Sequence, residues 1–149
     1  AFSPDGRPQP TGGTAAAGAV LASLASGATR RTRLAETFAE LHRRGSLLVR
    51  QLWHSLAEVD GVRLYGPSPE MPRTPTIAFT LTGVPAQEVA IALAQKGVFV
   101  SHGDFYASTV VERLGHTADG LVRAGCACYT TSEEIDRLVA GVRARADHR

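Results

Sequence analysis

Apolar residues recur along this chain with two different periods. From Thr76 to Thr82 they alternate, with Ile77, Phe79 and Leu81 on one side and threonine or alanine on the other. That period of two predicts a half-buried strand. From about Thr29 to Val59 the period is helical: Leu34, Phe38, Leu41, Leu48, Leu52, Leu56 and Val59 form one stripe, with Gly45 filling a turn of the same face. One long amphipathic helix is predicted there. A last helix opens at Thr131, whose hydroxyl followed by Glu134 three residues on makes a capping box. Ile135, Leu138, Val139 and Val142 continue it at helical spacing.

Turn-forming residues divide the rest. Thr14 can N-cap an alanine-rich helix, Ala15 to Ser26, which Gly27 ends. Asp60-Gly61 turns into a strand at Val62 to Tyr65, and Ser68 to Pro75 reads as a surface loop. Pro85 suits the first turn of a helix through Gln95, followed by a strand at Val98 to Ser101 and a short helix at Ala107 to Leu114. Gly120 precedes a further strand. Residues 1–13 are expected to be a flexible segment, and 14–149 a single domain with a long N-terminal helix. Strands alternating with helices imply one sheet with helices packed on it, an α/β fold.

Composition narrows the class. A chain of 149 residues with 44% hydrophobic and 20% charged residues is globular and buries one core. All but one of the 16 basic residues are arginine, and 14 acidic residues leave a net charge of +2. The basic clusters Arg30, Arg31, Arg33 and Arg43, Arg44 share a helix with Glu36 and Glu40, so a solvated helix face accounts for them better than nucleic acid. No apolar run reaches the length of a membrane span. Cys126 and Cys128 are one residue apart, too close for a normal disulfide, and with His102 and His116 they make only a weak metal pattern. They read as small buried apolar side chains, with no metal and a reducing, cytoplasmic location.

The strand after Gly120 carries Arg123 and leads to Tyr129. A guanidinium held beside a chain reversal is a good carboxylate fork, since its planar donors match two carboxylate oxygens. An edge-strand arginine that only reaches water has the same spacing, and spacing alone favours that second account.

The same residues resemble a known family. Arg123 to Leu138, R-A-G-C-A-C-Y-T-T-S-E-E-I-D-R-L, is similar to the C-terminal motif R-x-x-x-x-x-Y-N-T-x-E-E-V-D of class V pyridoxal-phosphate enzymes, the cysteine desulfurase and isopenicillin N epimerase relatives. Thr130 stands where that motif has asparagine. Thr11 to Gly18 resembles the family's G-T segment, Val62 to Gly66 one of its strands, and Val98 to Leu114 the loop beneath its active site. The resemblance implies the family's small C-terminal domain, with a small mixed or antiparallel sheet packed against helices. It implies a pyridoxal-phosphate cofactor in the full-length parent, an amino-acid substrate and a homodimer. Arg123 would grip the substrate α-carboxylate. Thr14 would reach the cofactor phosphate of the neighbouring subunit, although a plain N-cap explains Thr14 equally well.

Two departures bear on activity. The family's Schiff-base lysine would precede Thr11, whereas the one lysine here, Lys96, falls in a last helical turn before Gly97. No catalytic lysine is therefore expected in this chain, which is expected to be inactive alone. The family resemblance also puts Tyr106 where cysteine desulfurases carry the loop cysteine, and a phenol cannot form a persulfide. His102 and Asp104 of this loop are candidates for proton transfer or ordinary loop polar groups. His102 and Tyr106 join Arg123 as substrate-binding candidates. The chain begins at Ala1 and its only methionine is Met71, so a fragment of a longer enzyme is expected. The alternative is a non-catalytic α/β binding or interaction module derived from such a domain.

Overall fold

The computed structural model describes residues 29–148. In chain order they form α1 (Arg30–Ala57), β1 (Val62–Tyr65), β2 (Thr76–Leu81), α2 (Ala86–Ala94), β3 (Ser101–Gly103), α3 (Ser108–Arg113), β4 (Leu121–Gly125) and α4 (Ser132–Asp147). Thr14, the segment 1–13 and the alanine-rich helix lie outside the described residues. The chain divides into two compact units, residues 1–43 and 44–149.

In the first unit the described residues are the start of α1. The Thr29 hydroxyl accepts from the Thr32 N–H at 3.2 Å, capping the helix start. Arg43 forks onto the Glu40 carboxylate at 2.6 and 2.7 Å. Leu34, Phe38 and Leu41 are exposed, whereas Leu48, Leu52 and Leu56 of the second unit are buried. The predicted stripe is thus helical throughout but buried only in its second half. Periodicity reports the character of a helix face, and burial needs a facing element as well.

In the second unit four strands pair antiparallel in the order β1-β2-β4-β3. β2 shows why: Ile77, Phe79 and Leu81 are all buried while Thr76, Ala78 and Thr80 are half-buried, the alternation of a sheet covered on one face. Val122 and Ala124 of β4 extend that covered face. Onto it pack Leu48, Val49, Leu52 and Leu56 of α1, Val89 and Leu93 of α2, and Ile135, Leu138, Val139 and Val142 of α4. Phe79 has no exposure; truncating such a residue to alanine costs about 3–5 kcal/mol. Helices α2 and α4 approach so closely that a Cβ on Gly141 would lie 2.5 Å from Leu93 Cδ2, which is why a residue without a side chain stands there.

The start of α4 is tied twice. Thr131 Oγ1 accepts from the Glu134 N–H at 3.3 Å while Glu134 Oε2 accepts from the Thr131 N–H at 2.9 Å, completing the capping box. Gln51 of α1 then bridges to it, donating to Asp136 Oδ1 at 2.9 Å and accepting from the Ser132 hydroxyl at 2.6 Å.

Two local expectations are corrected. The strand expected at Val98 to Ser101 lies further on, at Ser101–Gly103. Val98 and Val100 do pack on the core and Phe99 is exposed, so the alternation is real. A cavity of about 310 Å³, lined by Gly97 to Val100 on one side and Ala124 to Ala127 on the other, separates this segment from the end of β4, and no ladder forms across it. The strand bearing Arg123 also stops at Gly125. Cys126 donates its N–H to Pro75 O at 2.8 Å, and Ala127 and Thr130 close a turn. Cys126 and Cys128 therefore do not share a strand face: Cys126 is half-buried and Cys128 is exposed.

Candidate functional site

The face of the sheet opposite the core carries the candidate chemistry. Register and pleat place Tyr65, Ala78, Arg123 and Ser101 in one row across β1, β2, β4 and β3 on that outer face. Arg123 is exposed and flanked by two small residues, Ala78 and Ser101. Its guanidinium carbon sits over the Phe105 ring, 4.2 Å from the centroid, a cation–π stack. Among the described residues Arg123 makes no salt bridge. Asp136, on the neighbouring helix, is engaged with Gln51 instead.

Phe105 reaches Arg123 through an unusual turn. Asp104 O accepts from the Ala107 N–H at 2.8 Å, and the two central residues, Phe105 and Tyr106, have φ of 56° and 61°. Two successive positive φ values under an i to i+3 bond are the type I′ pattern, which asparagine and glycine normally occupy. Left-handed backbone costs an ordinary residue roughly 1–2 kcal/mol. Asp104 Oδ1 offsets part of that cost by accepting from the Tyr106 N–H at 3.1 Å. Gly120 supports the loop from below. Its φ is 67°, and a Cβ there would fall 2.6 Å from the Gly103 backbone, so only glycine lets β3 and the entry to β4 close up.

The structure brings some candidates together and separates others. Arg123 and the turn at Asp104 to Ala107 meet. Tyr106, at the crest of the turn, is fully exposed. His102 pairs with Val122, so the pleat points it to the face opposite Arg123. There it lines a cleft with Asp104, Gln87 and Asp119. Tyr129 stands exposed in the turn before α4. The strand ends before it, so strand alternation does not carry it to Arg123. Lys96 is exposed beyond the end of α2, and no described residue offers a buried amine for an imine. The described residues thus do not fit the role of holding pyridoxal phosphate as a Schiff base. Burial pushes the Cys126 thiol pKa up, which disfavours the thiolate.

Sequence reasoning missed a second polar group on the outer face. Tyr65 Oη is 2.5 Å from His116 Nε2 and 3.2 Å from Thr80 Oγ1, and the two rings meet edge to face. A cleft of about 490 Å³ opens beside them, lined also by Arg63 and Asp119. Tyr65 and His116 are 51 residues apart, and no local pattern announces such a pair. Among the described residues there is no group of three or more His, Cys, Asp or Glu placed to hold a metal ion, and no helix is long and apolar enough to cross a membrane.

The family signature settles the lineage. The profile of the family described as Aminotransferase class-V matches residues 11–138. The chain belongs to the class-V aminotransferase family. Within it, the chain is 41% identical over 96 residues to a cysteine desulfurase of Dickeya dadantii, covering 64% of this chain and 22% of that protein. It is similar to the crystal structure of a cysteine desulfurase from Escherichia coli, with a TM-score of 0.63 and 26% identity over 72% of this chain and 25% of the other. The apo cysteine desulfurase of Thermococcus onnurineus shares the fold, with a TM-score of 0.71 at 24% identity, covering 80% of this chain and 29% of that one. The chain therefore spans less than a third of the length of each of these relatives. As a class-V aminotransferase domain it has the α/β fold expected of it: a four-stranded antiparallel sheet with helices on its inner face.

Proposed function

We propose that this chain is the C-terminal domain of a pyridoxal-phosphate-dependent enzyme acting on an amino acid, and that Arg123 grips the substrate α-carboxylate. The observation that carries this reading is the state of Arg123. It is exposed on the open sheet face, free of salt bridges among the described residues, and stacked on Phe105. A guanidinium whose role is a structural ion pair has an acidic partner; one that awaits a carboxylate does not. Family membership and the cysteine desulfurase relatives support the choice of an amino acid as the ligand.

In this reading the cofactor is held by residues other than those described here, and Thr14 contributes to its phosphate site across a homodimer interface. The domain supplies the carboxylate grip and the loop at Asp104 to Ala107. It positions the amino acid by one end and leaves the bond-making atoms to the rest of the enzyme. Tyr106 is the group this loop presents. A phenol donates or accepts one proton and cannot take up a sulfur atom, so transfer of sulfur to this loop is not part of the proposed reaction. His102, on the other sheet face, is left out of the substrate grip.

The test is the Arg123→Ala variant of the full-length enzyme. Amino-acid affinity is expected to fall by the value of a charge-assisted contact, about 1.5–3 kcal/mol, with cofactor content unchanged. Equal affinity in variant and wild type overturns the assignment. The isolated chain is expected to be inactive: after mixing with pyridoxal phosphate and desalting, no imine absorbance should remain. A stoichiometric imine at Lys96 would contradict that.

A further inference from the structure

Arg123 stands on a strand, but what orients its side chain comes from a different element. Its row neighbours, Ala78 and Ser101, are too short to brace a long side chain. Among the described residues no carboxylate holds it. The contact that defines it is the Phe105 ring, 4.2 Å from the guanidinium carbon, and that ring is delivered by a turn whose two central residues both have positive φ.

We infer that Phe105 is a positioning residue: its strained turn holds an aromatic platform beneath Arg123 so that the guanidinium edge is ready for a carboxylate. The inference rests on the carboxylate role proposed for Arg123 and names what prepares it. An arginine loses much rotamer freedom when it is ordered on binding. Stacking orders it beforehand, and it does so through the π-face, leaving the in-plane N–H donors unoccupied. An acidic partner would order the side chain equally well but would consume those donors. The backbone gives the second line of support. A glycine at position 105 would satisfy the positive φ without strain, yet it would remove the ring. The loop keeps Phe105 in a conformation that favours glycine, and Asp104 bonds the Tyr106 N–H to secure it. Strain retained against an easy local remedy marks a position where the side chain is needed.

A purely structural Phe105 would cover the outer sheet face by bulk alone, and leucine would serve. The experiment therefore compares Phe105→Leu, Phe105→Trp and Arg123→Ala in the full-length, cofactor-loaded enzyme. Its probes are L-cysteine and cysteamine, the same molecule without the carboxylate, with dissociation constants measured calorimetrically. The wild type is expected to prefer L-cysteine by roughly 10- to 150-fold, the value of a charged contact, and Arg123→Ala to abolish that preference. Phe105→Leu should reduce it by about 3- to 10-fold, in line with one lost cation–π contact, and Phe105→Trp should restore it. A second readout uses Arg-labelled protein: the Arg123 Nε–H resonance, shifted by the ring current, should move toward its free-arginine position in Phe105→Leu and stay ring-shifted in Phe105→Trp. No preference in the wild type, or none lost in Arg123→Ala, removes the carboxylate role and this inference with it. A preference lost in Arg123→Ala but intact in Phe105→Leu, with the resonance unmoved, overturns the positioning role alone. If Phe105→Leu does not fold, Phe105→Met, which keeps bulk without a ring, takes its place in both readouts.

Discussion

Two chain reversals in this domain obey opposite logic. The turn into α4 follows every local rule: Thr131 caps, Glu134 returns the bond, and Ile135 begins the buried face. The turn after β3 breaks a local rule twice, placing Phe105 and Tyr106 in backbone conformations that favour glycine. The first holds α4 against α1 through Gln51. The second carries the ring under Arg123 and exposes the Tyr106 phenol. Consistency between local preference and global fold builds stability, and its violation here falls at the turn proposed to prepare Arg123 for a carboxylate.

The contrast can be broken by exchanging the character of each turn. Replacing Phe105-Tyr106 with Asn-Gly supplies the residues a type I′ turn prefers. Stability should rise by about 2–4 kcal/mol if both strained positions relax fully, read as a higher denaturation midpoint with an unchanged slope. The same variant should weaken the preference for L-cysteine over cysteamine by about 3- to 10-fold, as Phe105→Leu does, because the ring is gone and Arg123 remains. A variant that is no more stable would mean that the turn is not strained; one whose preference is undiminished would mean that the ring is not needed.

Thr131→Ala should do the reverse. Loss of the cap lowers stability by about 1 kcal/mol and leaves the preference for the carboxylate intact, as measured by the same two titrations. Backbone N–H bonding and the Thr131 hydroxyl also hold the Glu133 carboxyl below its usual pKa. A folded pKa below the unfolded one stabilises at pH values above the unfolded pKa, about 4.3, and that contribution is lost as pH falls through the folded value. Thr131→Ala should therefore show a shallower loss of stability between neutral pH and the acid range than the wild type. This effect is smaller than the loss of the cap, because Glu133 is exposed to solvent. A steeper acid loss in the variant would contradict the origin given for the shift.

What was legible in the sequence follows the same division. β2, α2, α3 and α4 were readable because period, cap and turn signals all lie within a few residues of one another. The cysteine pair was misread because β4 ends at Gly125 under a bond from Cys126 to Pro75, a partner 51 residues away in the chain. Val98 to Val100 alternate as a strand would, with Val98 and Val100 packed on the core, but the chain joins the ladder only at Ser101. At the site, Arg123 stood out through its motif and its resemblance to the family. Phe105 did not, since the need for positive φ at two non-glycine residues leaves no mark in composition. The Tyr65–His116 contact depends entirely on the fold bringing β1 and the segment before β4 together.

Arg123, stacked on Phe105, is proposed to receive a carboxylate. The most direct measurement is a crystal structure of the full-length enzyme with an amino acid bound. The α-carboxylate is expected in the plane of the Arg123 guanidinium, with two N–H···O contacts at about 2.7–2.9 Å, and the Phe105 ring still beneath it. A carboxylate held by other residues, with Arg123 turned away to pair with an acidic side chain of the protein, would contradict it.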